Sequence, residues 1–435
     1  MQLNSTTGRQ KVSWLEQIGI FPPLLWGYVG LLFFMIGDGV ESGYLSSYLI
    51  DNGIADKSSA AVVFTVYGIT VAIAAWLSGS LSDLWGPRQA MLVGLAIWIV
   101  FEVGFLVLGL APKNYWSVVA MYGLRGFGYP LFAYGFLVWI SVAVPKQRLG
   151  TAVGWFWFAL TGGLLTLGPL MARYAIPVLG PFNTLWLSLG LVIFGGAIAL
   201  VGLQEPTGKR RLGPVGAHPL KTLFLSLAVA WEKPKTAIGC IVRIINTAPQ
   251  NGFLVFFPVY FTKEIGFKEE QWLELLSFMF LSNVIWNLLF GFLGEKLGWR
   301  NTVAWCGGVG CAITTLILYY VPESAGANYL LAVIACMLYG ATLAGYVPLS
   351  ALMPSLAPEN KGAAMSLLNL GAGASNWVGP AIVWLFWERL GGGVVMWIYA
   401  GLYVLSAILT MFLTLPPESL EVKPTAEAKA AVEAA

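Results

Sequence analysis

Asp38 and Glu41 stand three residues apart, just after a stretch from Pro23 to Gly37 that carries no charge. That spacing projects both carboxylates from one face of a helix. Glu102, Arg125 and Arg243 are likewise isolated within long apolar runs. An ionisable group in such a run survives when it is paired or faces a watered cavity, and it marks a proton relay or a ligand's counter-charge. A second set of polar residues is uncharged. Asn246, Gln250 and Asn251 share one run; Asn283 and Asn287 flank Trp286; Asn369 and Asn376 precede Trp377. Amides both donate and accept, so they can bind a row of hydroxyls, while rings of the Trp377, Trp155 and Tyr346 kind cover C–H faces. Each amide alone could equally join two helices. Taken together, they favour a neutral polyhydroxy cargo.

These side chains need elements that cross a bilayer. The chain of 435 residues is 58% hydrophobic and 10% charged, with mean hydropathy +0.75. Soluble domains carry about 25% charged residues. Runs such as Val394 to Leu415 approach the ~20 apolar residues that span hydrocarbon as a helix. Twelve spans are expected, at 22–50, 58–82, 88–110, 114–144, 151–174, 181–203, 236–262, 270–293, 300–321, 328–354, 361–386 and 393–415. Strand-type alternation is absent, which excludes a barrel. With the N-terminus inside, sixteen of the 24 lysines and arginines fall in inside segments and six in outside ones. The excess places both termini in the cytoplasm. Residues 1–19 lack the core of a cleaved signal, so the first span is permanent.

Net charge +3 is too small to argue for nucleic acid. Four cysteines inside apolar spans and a single histidine in a polar connector offer no metal site, no cofactor and no catalytic cluster. An enzyme is therefore not expected. The anticipated organisation is 1–203 as one six-helix bundle, 204–235 as a cytoplasmic connector with an interfacial helix near Pro219 to Trp231, and 236–417 as a second bundle. Residues 418–435 are expected to be a disordered cytoplasmic tail.

The two bundles repeat. Gly79, Asp83, Gly86 and Arg88 form a box that returns 212 positions later as Gly291, Glu295, Gly298 and Arg300. Tyr122-Gly123 returns as Tyr339-Gly340, and Gly168-Pro169 as Gly379-Pro380. The box in both halves, Arg125-Gly126-Phe127-Gly128 and the Gly-Pro pairs resemble the signatures of the major facilitator superfamily. That resemblance implies an all-α membrane fold of 12 transmembrane helices in two pseudo-symmetric six-helix bundles, rocking about a central site. It also implies that the box latches the cytoplasmic gate. Glycines at each end of the box are expected to let helices approach closely, with Asp83 facing a helix N-terminus and pairing with Arg88. Leu84 and Pro87 replace basic residues of the family pattern, so the latch has fewer charges.

In this fold the first and fourth helices line the cavity, so Arg125 is expected to pair with Asp38 or Glu41. A carboxylate beside arginine stays ionised, and desolvation on closure favours its neutral form. Protonation would then release the arginine. Asp38 is the expected proton carrier, with Glu41 second; a permanent structural pair is the alternative. The Gly-Asp-Gly-Val-Glu run (37–41), Arg-Gly-Phe-Gly-Tyr-Pro (125–130) and Pro-Gln-Asn-Gly-Phe (249–253) resemble the bacterial polyol permeases, the carriers for ribitol and D-arabinitol. This resemblance implies proton-coupled symport of a pentitol or sugar across a bacterial inner membrane by a monomer. An α-ketoglutarate-type carboxylate symporter is the alternative, with Arg125 and Arg243 as a clamp for two carboxylates.

Overall fold

The computed structural model describes residue 15 and residues 20–144, 149–211, 228, 230–357 and 361–414. Twelve helical stretches run in order: α1 (Pro22–Asp51), α2 (Lys57–Trp85), α3 (Pro87–Leu110), α4 (Tyr115–Ala143), α5 (149–179), α6 (Pro181–Gly202), α7 (234–264), α8 (Glu269–Leu297), α9 (Trp299–Ala325), α10 (329–356), α11 (Lys361–Leu390) and α12 (Gly392–Met411). These match the twelve expected spans, and no strand occurs among the described residues. Nine of the helices are long and apolar enough to cross a membrane among the described residues. The other three, α7, α8 and α11, are the helices that carry the amides. The expected interfacial helix falls mostly outside the described residues, as does all of 418–435.

Short loops and local caps start the helices. The Asp56 carboxylate accepts the Ser59 N–H at 2.6 Å, and Asn114 and Asn328 cap α4 and α10 in the same manner at equivalent points of the repeat. Two apolar cores hold the bundle. One runs from Ile20 to Leu203 and belongs to α1–α6 alone. The other reaches from Val40 to Leu413 and draws on both halves. N-half members of this shared core, such as Leu49, Ile54 and Leu185, sit at the loop end, away from the 204–235 connector.

Helices meet where side chains are smallest. A Cβ on Gly379 of α11 would overlap the Ala248 carbonyl oxygen of α7, and one on Gly168 of α5 would meet Gly39 of α1 at 2.5 Å. The Gly-Pro repeat therefore sets the same contact in both halves. Gly379→Ala is expected to cost about 1–3 kcal/mol through overpacking. Gly401→Ala, where nothing lies within 4 Å of the added carbon, is the unaffected control; thermal unfolding in detergent separates them.

The box glycines act differently from the expectation. Gly79 has no atom within 4 Å of a built Cβ, so it brings no helices together. Gly86 and Gly298 instead have φ of +89° and +84°, a left-handed conformation that turns the chain sharply from α2 into α3 and from α8 into α9. The Arg88 guanidinium donates to the Leu200 carbonyl of α6 at 2.7 Å. The side chains of Asp83 and Glu295, and residue Gly291 beyond its backbone, lie outside the description. Arg300 is half-buried at the start of α9.

Candidate coupling and substrate site

α1 and α4 are both interrupted in mid-course, and the interruptions lie beside the buried charges. α1 breaks into turns at residues 41–44, and α4 at Gly126 and Phe127. Arg125 is thus the last residue of the half-helix Tyr115–Arg125, where the negative end of the helix dipole favours a cation.

Three carboxylates surround this arginine. Glu41 binds it with both oxygens, Oε1 facing Nη2 and Oε2 accepting from Nη1 at 2.9 Å. Glu102 of α3 accepts from Nη1 through Oε2 at 2.5 Å. Asp38 lies 3.9 Å from Nη2 and accepts the Trp98 indole N–H at 2.6 Å. Rings of Tyr122, Trp98 and Tyr67 lie 4.5, 4.9 and 5.5 Å from the guanidinium carbon, so cation–π attraction adds to the charge pairing. Asp38, Glu41, Glu102 and Arg125 are 4%, 1%, 0% and 1% exposed. The expected partners are therefore joined, with Glu41 as the chelating acid and Asp38 held more loosely. The fourth member, Glu102, had no sequence signal beyond its isolation.

The repeat supplies a comparison inside the same chain. Thr314 and Thr342, 212 and 217 positions after Glu102 and Arg125, share a hydroxyl–hydroxyl bond of 2.8 Å. Around them Tyr339 and Tyr403 bond at 2.7 Å, and the Tyr403 hydroxyl lies within bonding distance of the Asn246 carbonyl. The buried polar centre of α7–α12 is neutral where that of α1–α6 is charged. The shared offset could have pointed to Thr314.

Arg243 of α7 is half-buried and, among the described residues, has no carboxylate within ion-pair distance. Its polar neighbour from the first half is Tyr134 of α4. Arg125 is 1% exposed and both its Nη atoms face acids, although its Nε has no partner, so in this conformation it is closed to the two-arginine clamp. Several amides are also committed. Asn283 donates to the Gly340 carbonyl, Asn287 to Asn283 Oδ1, Asn376 to the Ala372 carbonyl and Asn251 to Ser375 Oγ. Asn246 is 4% exposed with Oδ1 unpartnered, and Gln250 is half-buried near it on α7. Asn369, Trp286 and Trp377 are exposed, and Trp155 packs on Phe158. Tyr346 departs from the cargo role expected of it: it is 2% exposed, and its hydroxyl is bound to Ser406 within the second half.

Bonds between the halves gather at the loop end. Lys57 pairs with Glu264 at 3.1 Å, Lys263 with Asp51 at 2.9 Å and Arg173 with Glu274 at 3.3 Å. The Trp272 indole donates to the Gly43 carbonyl at 2.7 Å, and Ser277 to the Thr166 carbonyl at 3.0 Å. None of these was legible beforehand, because each joins residues more than 100 positions apart.

Comparison with known proteins agrees with this architecture. The family model for the Major Facilitator Superfamily matches residues 27–286 and 239–434. The α-ketoglutarate permease of Bacillus subtilis (strain 168) is 48% identical over 412 residues, covering 94% of this chain and 93% of that protein. The D-arabinitol transporter of Klebsiella pneumoniae is 37% identical over 402 residues, covering 92% and 94%. A crystal structure of the nucleoside transporter NupG superposes with a TM-score of 0.70 at 16% identity, covering 90% of this chain and 99% of that one.

Proposed function

The chain belongs to the Major Facilitator Superfamily, a multi-pass membrane transporter rather than an enzyme, and from that premise we propose that it carries a small organic carboxylate together with protons. One observation carries the cargo class: Arg243 is a half-buried cation between the halves with no carboxylate of its own among the described residues. A guanidinium so placed is costly to leave unpaired, and an anionic ligand that binds it with two oxygens offsets the cost. The 48% identity to an α-ketoglutarate permease supports the same class. A polyol is the second reading. It is supported by the unpartnered Asn246 oxygen beside Gln250 and by the D-arabinitol transporter.

Proton coupling fits the other half of the site. Asp38 has one hydrogen-bond donor, Trp98, and stands at the edge of the arginine's reach, so it is the acid whose proton exchanges most readily. Its protonation leaves Arg125 to Glu41 and Glu102 and shifts the charge between α1 and α4. The distribution of lysine and arginine supports a cytoplasmic side for both termini and an outer side for the loop end, and the bacterial relatives support an inner membrane. The ion pairs that hold the loop end support entry of the cargo to Arg243 from the opposite, cytoplasmic side. The two bundles, 1–203 and 236–417, are the moving bodies, and a monomer suffices.

Uptake of labelled α-ketoglutarate and D-arabinitol into cells, with and without a protonophore, tests the reading. Saturable α-ketoglutarate uptake that collapses with the protonophore is expected, as is loss of accumulation in Asp38→Asn. D-arabinitol uptake alone would replace the cargo, and uphill accumulation by Asp38→Asn would remove Asp38 as carrier.

A further inference from the structure

One guanidinium faces three carboxylates inside a cluster that is closed to solvent. If every acid were ionised, the cluster would hold two uncompensated negative charges among the rings of Tyr67, Trp98 and Tyr122, whose faces favour cations. Such charge is removed by binding protons. The bonding shows which acid is best suited to hold one.

Glu41 has both oxygens on the guanidinium, the arrangement of an ionised carboxylate. Asp38 accepts the Trp98 N–H, and indole can only donate. Glu102 differs from both. It is 0% exposed, its Oε2 meets Nη1 of Arg125, and its Oε1 is buried with no partner. The polar groups facing it are Asp38, Glu41 and Tyr44 from α1, and Arg125 from α4. The Tyr44 hydroxyl donates to the Pro181 carbonyl and so is not available to Oε1. A charge concentrated on Oε1 would have no donor, whereas a proton there neutralises the group while Oε2 still accepts from arginine.

We propose that Glu102 is a resident proton-binding residue of the transporter, neutral at Oε1 in the conformation seen here. The second half argues against a purely structural acid. Its third and fourth helices meet at the same place through Thr314 and Thr342, without charge. The helix pair of this repeat therefore packs without a carboxylate, so packing alone does not call for one at position 102. Deprotonation requires water or a neighbouring carboxylate to take the proton; burial excludes water and no acceptor lies on Oε1, so release waits until α1 and α4 move apart at their interruptions. Release is thus tied to rearrangement, and Asp38, at 4% exposure, is the group through which the proton reaches solvent.

This inference rests on the proton-coupled reading but not on the cargo. Infrared difference spectroscopy of the purified full-length protein in H2O and D2O reads it without any substrate. A carboxylic-acid carbonyl band is expected at neutral pH, kept in Asp38→Asn and Glu41→Gln and lost in Glu102→Gln. Glu102→Asp, which keeps an acid should the glutamine variant fail to fold, should move the band. A wild type without the band overturns the proposal, as does a band that survives Glu102→Gln or stays fixed in Glu102→Asp. Absence of α-ketoglutarate transport would leave these spectra unchanged, so the two readings fail separately.

Discussion

Arg125→Ala should leave almost no folded protein, a larger loss than any other single substitution in the chain. Removing one partner of a buried ion pair costs about 3–5 kcal/mol, and here one arginine is the counter-charge of Glu41 and Asp38 and the donor to Glu102, all under 5% exposed. That cost is a large part of the ~5–15 kcal/mol by which a typical domain is stable. The C-half gives the contrast. Thr342→Ala removes a neutral hydroxyl that bonds Thr314, Cys311 and carbonyls of its own helix at the equivalent place, and neutral hydrogen bonds contribute only about 1 kcal/mol each. Size exclusion and thermal unfolding in detergent compare the two directly. Arg125→Lys should recover the fold in part and still fail in transport. A lysine cannot reproduce the two-oxygen bond to Glu41 or the stacking among three rings. An Arg125→Ala protein as stable as Thr342→Ala would show that the acids are already neutral, and the cluster would lose its standing as an ion pair.

Arg243→Gln is expected to do the reverse: the fold survives and cargo binding does not. No carboxylate of the chain is left unpaired by this change among the described residues, so thermal stability should move little. Loss of the charged partner of a bound carboxylate costs about 2–4 kcal/mol, which raises KM roughly 30- to 1,000-fold. Counterflow in proteoliposomes loaded with α-ketoglutarate measures it. Arg243→Lys should fall between, because a point charge binds a carboxylate without the fork geometry. An unchanged KM in Arg243→Gln would hand the cargo to the amides of α7 and with them to a polyol.

The elements were legible because hydrocarbon forces a simple code. Backbone groups must be satisfied within the segment, so twelve long apolar runs can only be helices. The repeat was legible because glycine and proline are read by the backbone itself. Asp38, Glu41 and Arg125 stood out by the cost of their burial. What could not be read was partnership. Glu102 lies 23 residues from Arg125 in sequence, and nothing local says that α3 turns it toward α4. The amides were left open for a related reason. A polar group facing a cavity and one bonded to a neighbouring carbonyl look alike in a sequence, and Asn283 and Asn376 are of the second kind. The glycines of the box show the third limit. Close approach and positive φ both select glycine, and only coordinates separate Gly379 from Gly86.

The ion pairs at the loop end carry a consequence for the work of the cycle. Lys57 and Glu264 each keep 39% of their side chains in solvent, and Lys263 and Asp51 keep 53% and 45%. Pairs so wet contribute about 0–1 kcal/mol each and weaken further as salt rises. A seal made of such fasteners is broken one at a time, with no single step steep enough to trap the protein shut. The strong electrostatics are kept out of the loop-end seal and lie in the buried cluster. Raised salt would loosen this latch while leaving the buried charges untouched, so the lifetime of the state closed at the loop end is tuned by the medium and the buried cluster is not.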